Sequence, residues 1–140
     1  MKYFYIEPEV AGELGEQTVM DSTVHPPRVE KLHYKFVGWL GDALLESFPC
    51  VIATQDAADA LAELGVTGVQ FADLQVTVSD EFRDLYPERE LPSFRWLKVN
   101  GVAGKDDFGI ANDFRLVISD KAMNLLQHFG IGTALTEPFV

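Results

Sequence analysis

The chain has 140 residues, 47% of them hydrophobic, which is enough for one domain to bury a core without the help of metals or disulfides. Eleven Lys and Arg against 22 Asp and Glu leave a net charge of −11. That charge repels nucleic-acid backbones and anionic lipid, so neither nucleic-acid nor membrane binding is expected, and basic partners are favoured.

In chain order, Tyr3-Phe4-Tyr5-Ile6 reads as a first strand. Residues 8–28 are rich in Pro, Gly and acids and include His25-Pro26-Pro27, so they read as a long surface loop, with 10–27 open to contacts with another molecule. Val29 to Phe36 resumes order: Leu32, Tyr34 and Phe36 alternate with Lys31, His33 and Lys35, as in a half-buried strand. Gly38-Trp39-Leu40-Gly41-Asp42 reads as a turn into one helical turn at Ala43–Glu46, capped by Asp42. Leu74–Val78 alternates like a strand, and Ser79 can cap an acidic helix that buries Phe82 and Leu85 before Pro87. Phe94–Val99 is another strand, closed by the turn signal Asn100-Gly101, and 101–113 reads as a polar loop around Phe108. These segments predict a single α+β domain over 1–140, with a mixed or antiparallel sheet of about six strands and about three short helices.

Residues 50–75 lie over 115–140 without a gap, at a constant offset of 65 positions. Val51-Ile52-Ala53-Thr54 falls on Leu116-Val117-Ile118-Ser119, a short apolar run that ends in a hydroxyl able to cap a helix. Ala57, Leu61 and Leu64 then fall on Ala122, Leu126 and Phe129, and the spacing puts each trio on one helical face. Gly65 falls on Gly130 as the helix stop. Each unit spells strand, cap, amphipathic helix, glycine and return. Convergence on common capping rules would produce the same pattern as duplication.

Catalytic signatures are sparse. His25, His33 and His128 fall in a loop, on a strand and late in a helix, without the spacing of a metal cluster. Cys50 follows Pro49 at the edge of an apolar strand, so it reads as a small core residue, and a lone cysteine has no internal partner for a disulfide. Gly101–Asp106 lacks the spacing and the hydroxyl residue of a phosphate loop, and adjacent Asp106 and Asp107 diverge too far to share a proton. No catalytic, cofactor-binding or metal-binding residue is assigned. With no secretory signal and no apolar run near the roughly 18 residues of a membrane span, the default location is the cytoplasm.

Tyr3–Ile6, Phe36–Asp42, Phe48–Thr54 and the twice-used unit (Thr54, Leu61, Gly65; Ser119, Leu126, Gly130) together resemble small bacterial immunity proteins of polymorphic-toxin and type VI secretion systems. The resemblance implies a non-enzymatic cytoplasmic protein that neutralises one cognate toxin effector, and it fixes no contact residues. The acidic balance suits a basic toxin, because it would speed association. The densest acidic stretch is Asp80, Glu81, Asp84, Glu88 and Glu90, interleaved with Tyr86 and Arg89. A second stretch comprises Asp106, Asp107 and Asp113 around Phe108. Tyr86 and Phe108 are the expected anchors, and the acids the steering charges. Rival readings are an enzyme or small-ligand binder with an unrecognised pocket, and a scaffold subunit that self-associates through exposed sheet edges.

Overall fold

A computed structural model describes all 140 residues as thirteen strands and three helices. Before the first helix come β1 (Tyr3–Glu7), β2 (Gly12–Leu14), β3 (Val19–Asp21), β4 (Arg28–Lys31), β5 (His33–Phe36), β6 (Leu44–Ser47) and β7 (Cys50–Thr54). Next are α1 (Gln55–Leu64), β8 (Val69–Ala72), β9 (Gln75–Val78), α2 (Asp80–Leu85) and β10 (Phe94–Val99). The chain ends with β11 (Phe108–Ile110), β12 (Leu116–Ser119), α3 (Asp120–Phe129) and β13 (Leu135–Phe139). The class is α+β with antiparallel and mixed sheets, as expected, but the strands are shorter and far more numerous than six.

The two aligned units fold alike. Thr54 and Ser119 are the N-caps of α1 and α3, and their side-chain oxygens accept the N–H groups of Ala57 and Ala122. Gly65 ends α1 at φ +75°, a left-handed conformation that suits glycine, and Gly130 ends α3 through its N–H to the Leu126 carbonyl. Around them stand two four-stranded sheets, β6-β7-β10-β8 and β11-β12-β1-β13. In each, the strand entering the helix and the strand returning from it are separated by one strand antiparallel to both. The inserted strand is β10 in the first half, later in the chain, and β1 in the second, at the N-terminus. The halves thus share an architecture in permuted order.

One hydrophobic cluster lies between the halves: Ala57, Ala58 and Leu61 of α1 join Ala122, Met123 and Leu126 of α3, with Val51, Leu97, Leu116 and Ile118 from the sheets. Leu64 and Phe129, the last members of the two predicted trios, are 39% and 37% exposed, so each helix points only its first two turns inward. The opposite face of β7 and β10 carries Cys50, Ile52, Phe94 and Trp96 into a second cluster with Tyr34, Phe36, Leu45 and Phe82. Burial on both faces explains why Cys50 to Ala53 reads as an unbroken apolar run rather than as an alternation. Ala43–Glu46 does not form a helical turn: Leu44 to Ser47 pair with β7 as an edge strand, because Leu44 fills one cluster and Leu45 the other.

The segment 8–28 is also more ordered than expected. It contains β2, paired with β5, and β3, paired with β4, while Glu9 and Ala11 are buried. The strand predicted over 29–36 breaks at Leu32 into β4 and β5. His33 is buried as well, because residues 15–18 wrap its ring: Nδ1 accepts the Gln17 N–H at 3.1 Å, and Nε2 lies 2.6 Å from Thr77 Oγ1.

Cys50 is 3% exposed, and burial pushes its thiol up to about 12. The thiolate is therefore scarce at neutral pH, and native Cys50 should react with a thiol reagent orders of magnitude more slowly than it does in denaturant. Labelling followed by mass spectrometry checks this, and comparable rates in the two states would contradict the burial.

Candidate partner-binding surface

The first acidic stretch forms a surface feature. Ser79 Oγ accepts the Phe82 N–H at 3.0 Å and starts α2, and Asp80 and Glu81 stand in the first turn, where the helix dipole favours them. Phe82 is the buried anchor of this short helix, whereas Leu85, expected in the core, is 68% exposed. Six residues bury only one helical face, and Phe82 occupies it. Asp80, Glu81, Asp84, Glu88 and Glu90 are all exposed. Arg83 Nη1 lies 3.7 Å from Asp80, an exposed pair worth at most about 1 kcal/mol.

Tyr86 ends α2 with its ring 5.4 Å from the Phe82 ring and 42% of its surface exposed. The Arg89 guanidinium then spans two aromatic faces, 4.9 Å from the Trp39 ring and 5.7 Å from the Tyr86 ring. This contact joins the acidic helix to the loop over 37–42, more than forty residues away in sequence.

That loop is held from below. The buried Glu9 carboxylate accepts the N–H groups of Leu40 at 2.6 Å and Asp42 at 3.1 Å, and Trp39 Nε1 donates to the Asp42 carbonyl at 3.0 Å. Gly41 at φ +103° provides the backbone turn between them. Asp42 Oδ2 accepts the Thr133 N–H at 2.9 Å, and the buried Tyr34 hydroxyl accepts the Ala11 N–H at 3.1 Å, fixing the neighbouring segment. The result is a groove of about 380 Å³ whose walls include Val10, Val37, Trp39, Leu40 and Tyr86. Leu40 is 77% exposed and Val10 68%. Exposed aliphatic and aromatic side chains on a braced loop, with the exposed Glu13 lining the same groove, are the composition of a protein-binding patch.

The second acidic stretch does not form such a patch. Phe108 is fully buried in the core between the two halves, so it is no surface anchor. Asp107 is 7% exposed: its carboxylate accepts from Ser119 Oγ at 2.6 Å and from the Thr67 N–H at 2.9 Å, so it is occupied inside the fold. Asp106 accepts the Val102 N–H at 2.7 Å, closing its own loop, and Asp113 pairs with Arg115. Asp107 is thus internal, whereas Asp106 and Asp113 keep partly exposed carboxylates that also hold local structure.

Val10, at the start of the expected contact segment 10–27, and Tyr86, at the end of the acidic helix, both line this groove, whereas Val37, Trp39 and Leu40 are not among the expected partner residues. The available signal was Gly38-Trp39-Leu40-Gly41, where two large apolar residues sit between glycines with no helix or strand period to bury them. No helix is long and apolar enough to cross a membrane. No family model, no curated protein and no solved structure matches this chain.

Proposed function

We propose that this chain is a cytoplasmic, non-enzymatic immunity protein that binds a basic cognate toxin of a bacterial polymorphic-toxin or type VI secretion system and blocks it. The observation that carries the reading is the apolar groove of Val10, Trp39, Leu40 and Tyr86, whose Tyr86 wall is the end of the acidic helix α2. Trp39 and Tyr86, with Arg89 stacked on both rings, supply the slow dissociation an inhibitor needs, and the exposed acids of α2 that precede Tyr86 accelerate encounter with a cationic surface. The net charge of −11 extends that attraction over the whole molecule.

Co-expression with the product of the adjacent upstream gene tests the reading in cells: the chain should rescue growth from that product's toxicity. Binding kinetics test it in solution. Asp80→Lys, Glu81→Lys and Asp84→Lys combined should slow association about tenfold at low salt and much less at high salt. Tyr86→Ala with Leu40→Ala should leave association nearly unchanged and speed dissociation about thirtyfold, the loss of roughly 2 kcal/mol at an interface centre. No rescue by co-expression, or unaltered kinetics in both folded variants, would sink the assignment.

A further inference from the structure

Beyond the Arg89 turn, on its other side, lies a separate and larger groove of about 630 Å³, bounded by β9, α2 and the segment leading into β10. β9 is an edge strand, paired only with β5 and parallel to it. The Gln75 N–H donates to the Leu32 carbonyl and the Ser79 N–H to the Phe36 carbonyl, which sets the alternation of a parallel ladder. By that alternation the N–H and C=O groups of Val76 and Val78 point away from β5 and into the groove. Leu74, Leu91 and Phe94 provide apolar walls, and the only charged residues lining it are Arg83 and Arg89. The cleft is lined by two guanidiniums and no carboxylate, and the exposed Asp80 3.7 Å from Arg83 is only a weak competitor for that charge.

We propose that this groove takes an extended, acidic segment of a partner protein, which adds as a strand to the free edge of β9. Its backbone would bond to Val76 and Val78, its apolar side chains would face Leu74, Leu91 and Phe94, and a carboxylate would meet Arg83 and Arg89. Edge strands of natural proteins are usually blocked by lysine, proline or a covering loop, and Gln75-Val76-Thr77-Val78 has neither lysine nor proline. The inference does not depend on the immunity reading, which concerns the Val10–Tyr86 groove, and the two are tested by different substitutions.

The test is selection of random octapeptides displayed on phage against the full chain, followed by fluorescence polarisation of the synthetic winners. Selected peptides should alternate apolar residues with Asp or Glu, and methylating the backbone nitrogens that face β9 should weaken binding at least about tenfold. Arg83→Glu should weaken them similarly, and a peptide with Lys in place of the acid should recover binding to that variant. Val78→Pro removes an outward N–H without removing a ladder bond and should abolish binding; if that variant misfolds, the methylated peptides address the same bond. No selected peptide, winners lacking carboxylates, or binding indifferent to both methylation and Arg83→Glu would overturn the proposal. Sensitivity to Leu40→Ala instead would place the peptides in the neighbouring groove and would equally overturn it.

Discussion

Leu61→Ala and Leu126→Ala are each expected to destabilise the protein by about 2–5 kcal/mol, a large share of the roughly 5–15 kcal/mol that holds a domain together. Both side chains are fully buried at equivalent places in the two halves, where α1 meets α3 beneath the two sheets. Helices of ten residues have little stability of their own and depend on that packing. Their neighbours Ala57, Ala58 and Ala122 are small and already buried, so relaxation into the cavity falls mainly to Met123, which sets where in that range the cost lies. Leu64→Ala and Phe129→Ala, at the partly exposed ends of the same faces, should cost less than about 1.5 kcal/mol. Urea melts decide the matter: at one shared slope of about 2 kcal/mol/M, the two core variants should lose about 1–2.5 M of midpoint and the two end variants less than about 0.75 M. A wild-type midpoint for either core variant would remove the shared two-helix core.

These helices were legible in the sequence because caps, stripes and glycine stops are written in local spacing. Thr54 and Ser119, the bounds of α1 and α3, and their equivalence at an offset of 65 positions all follow from residues within one window. The order of the sheets was not legible, since β10 and β1 enter their halves from distant parts of the chain and nothing local marks them as equivalent. Ala43–Glu46 went wrong for the same reason: four residues carry no period, and pairing with β7 decided their state. Phe108, apolar in a polar stretch, reads as an anchor for a partner, but strand pairing with β12 carries it into the core. At the candidate surface, charge was legible because Asp80 to Glu90 are contiguous. The apolar half was hidden because Val10, Trp39, Leu40 and Tyr86 converge only after Glu9 and Arg89 have tied three segments together.

Asp107→Ala should cost about 3 kcal/mol, and Asp107→Asn less, with a dependence on pH that identifies the charge as the cause. Asp107 joins the halves: Thr67, after α1, donates its N–H to Asp107 Oδ2, and Ser119, the cap of α3, donates its hydroxyl to Asp107 Oδ1. Removing the carboxylate leaves a buried hydroxyl and a partly buried N–H without their acceptor, and it loosens the cap, because the same Ser119 oxygen accepts the Ala122 N–H. Burial works against ionisation here, but the hydrogen bonds from Ser119 and Thr67, with Lys121 nearby, outweigh it and hold the carboxyl below its usual range. A depressed folded-state value means stabilisation that is complete above the unfolded carboxylate range near about 4 and is lost as pH falls through the lower folded value. The difference in unfolding free energy between wild type and Asp107→Asn should therefore be constant from about pH 7 to 5 and shrink on acidification below about pH 4. Guanidinium melts across that range measure it directly. A gap that stays the same width at every pH would mean that the side chain is held for its shape, and that the link between the two halves does not rest on its charge.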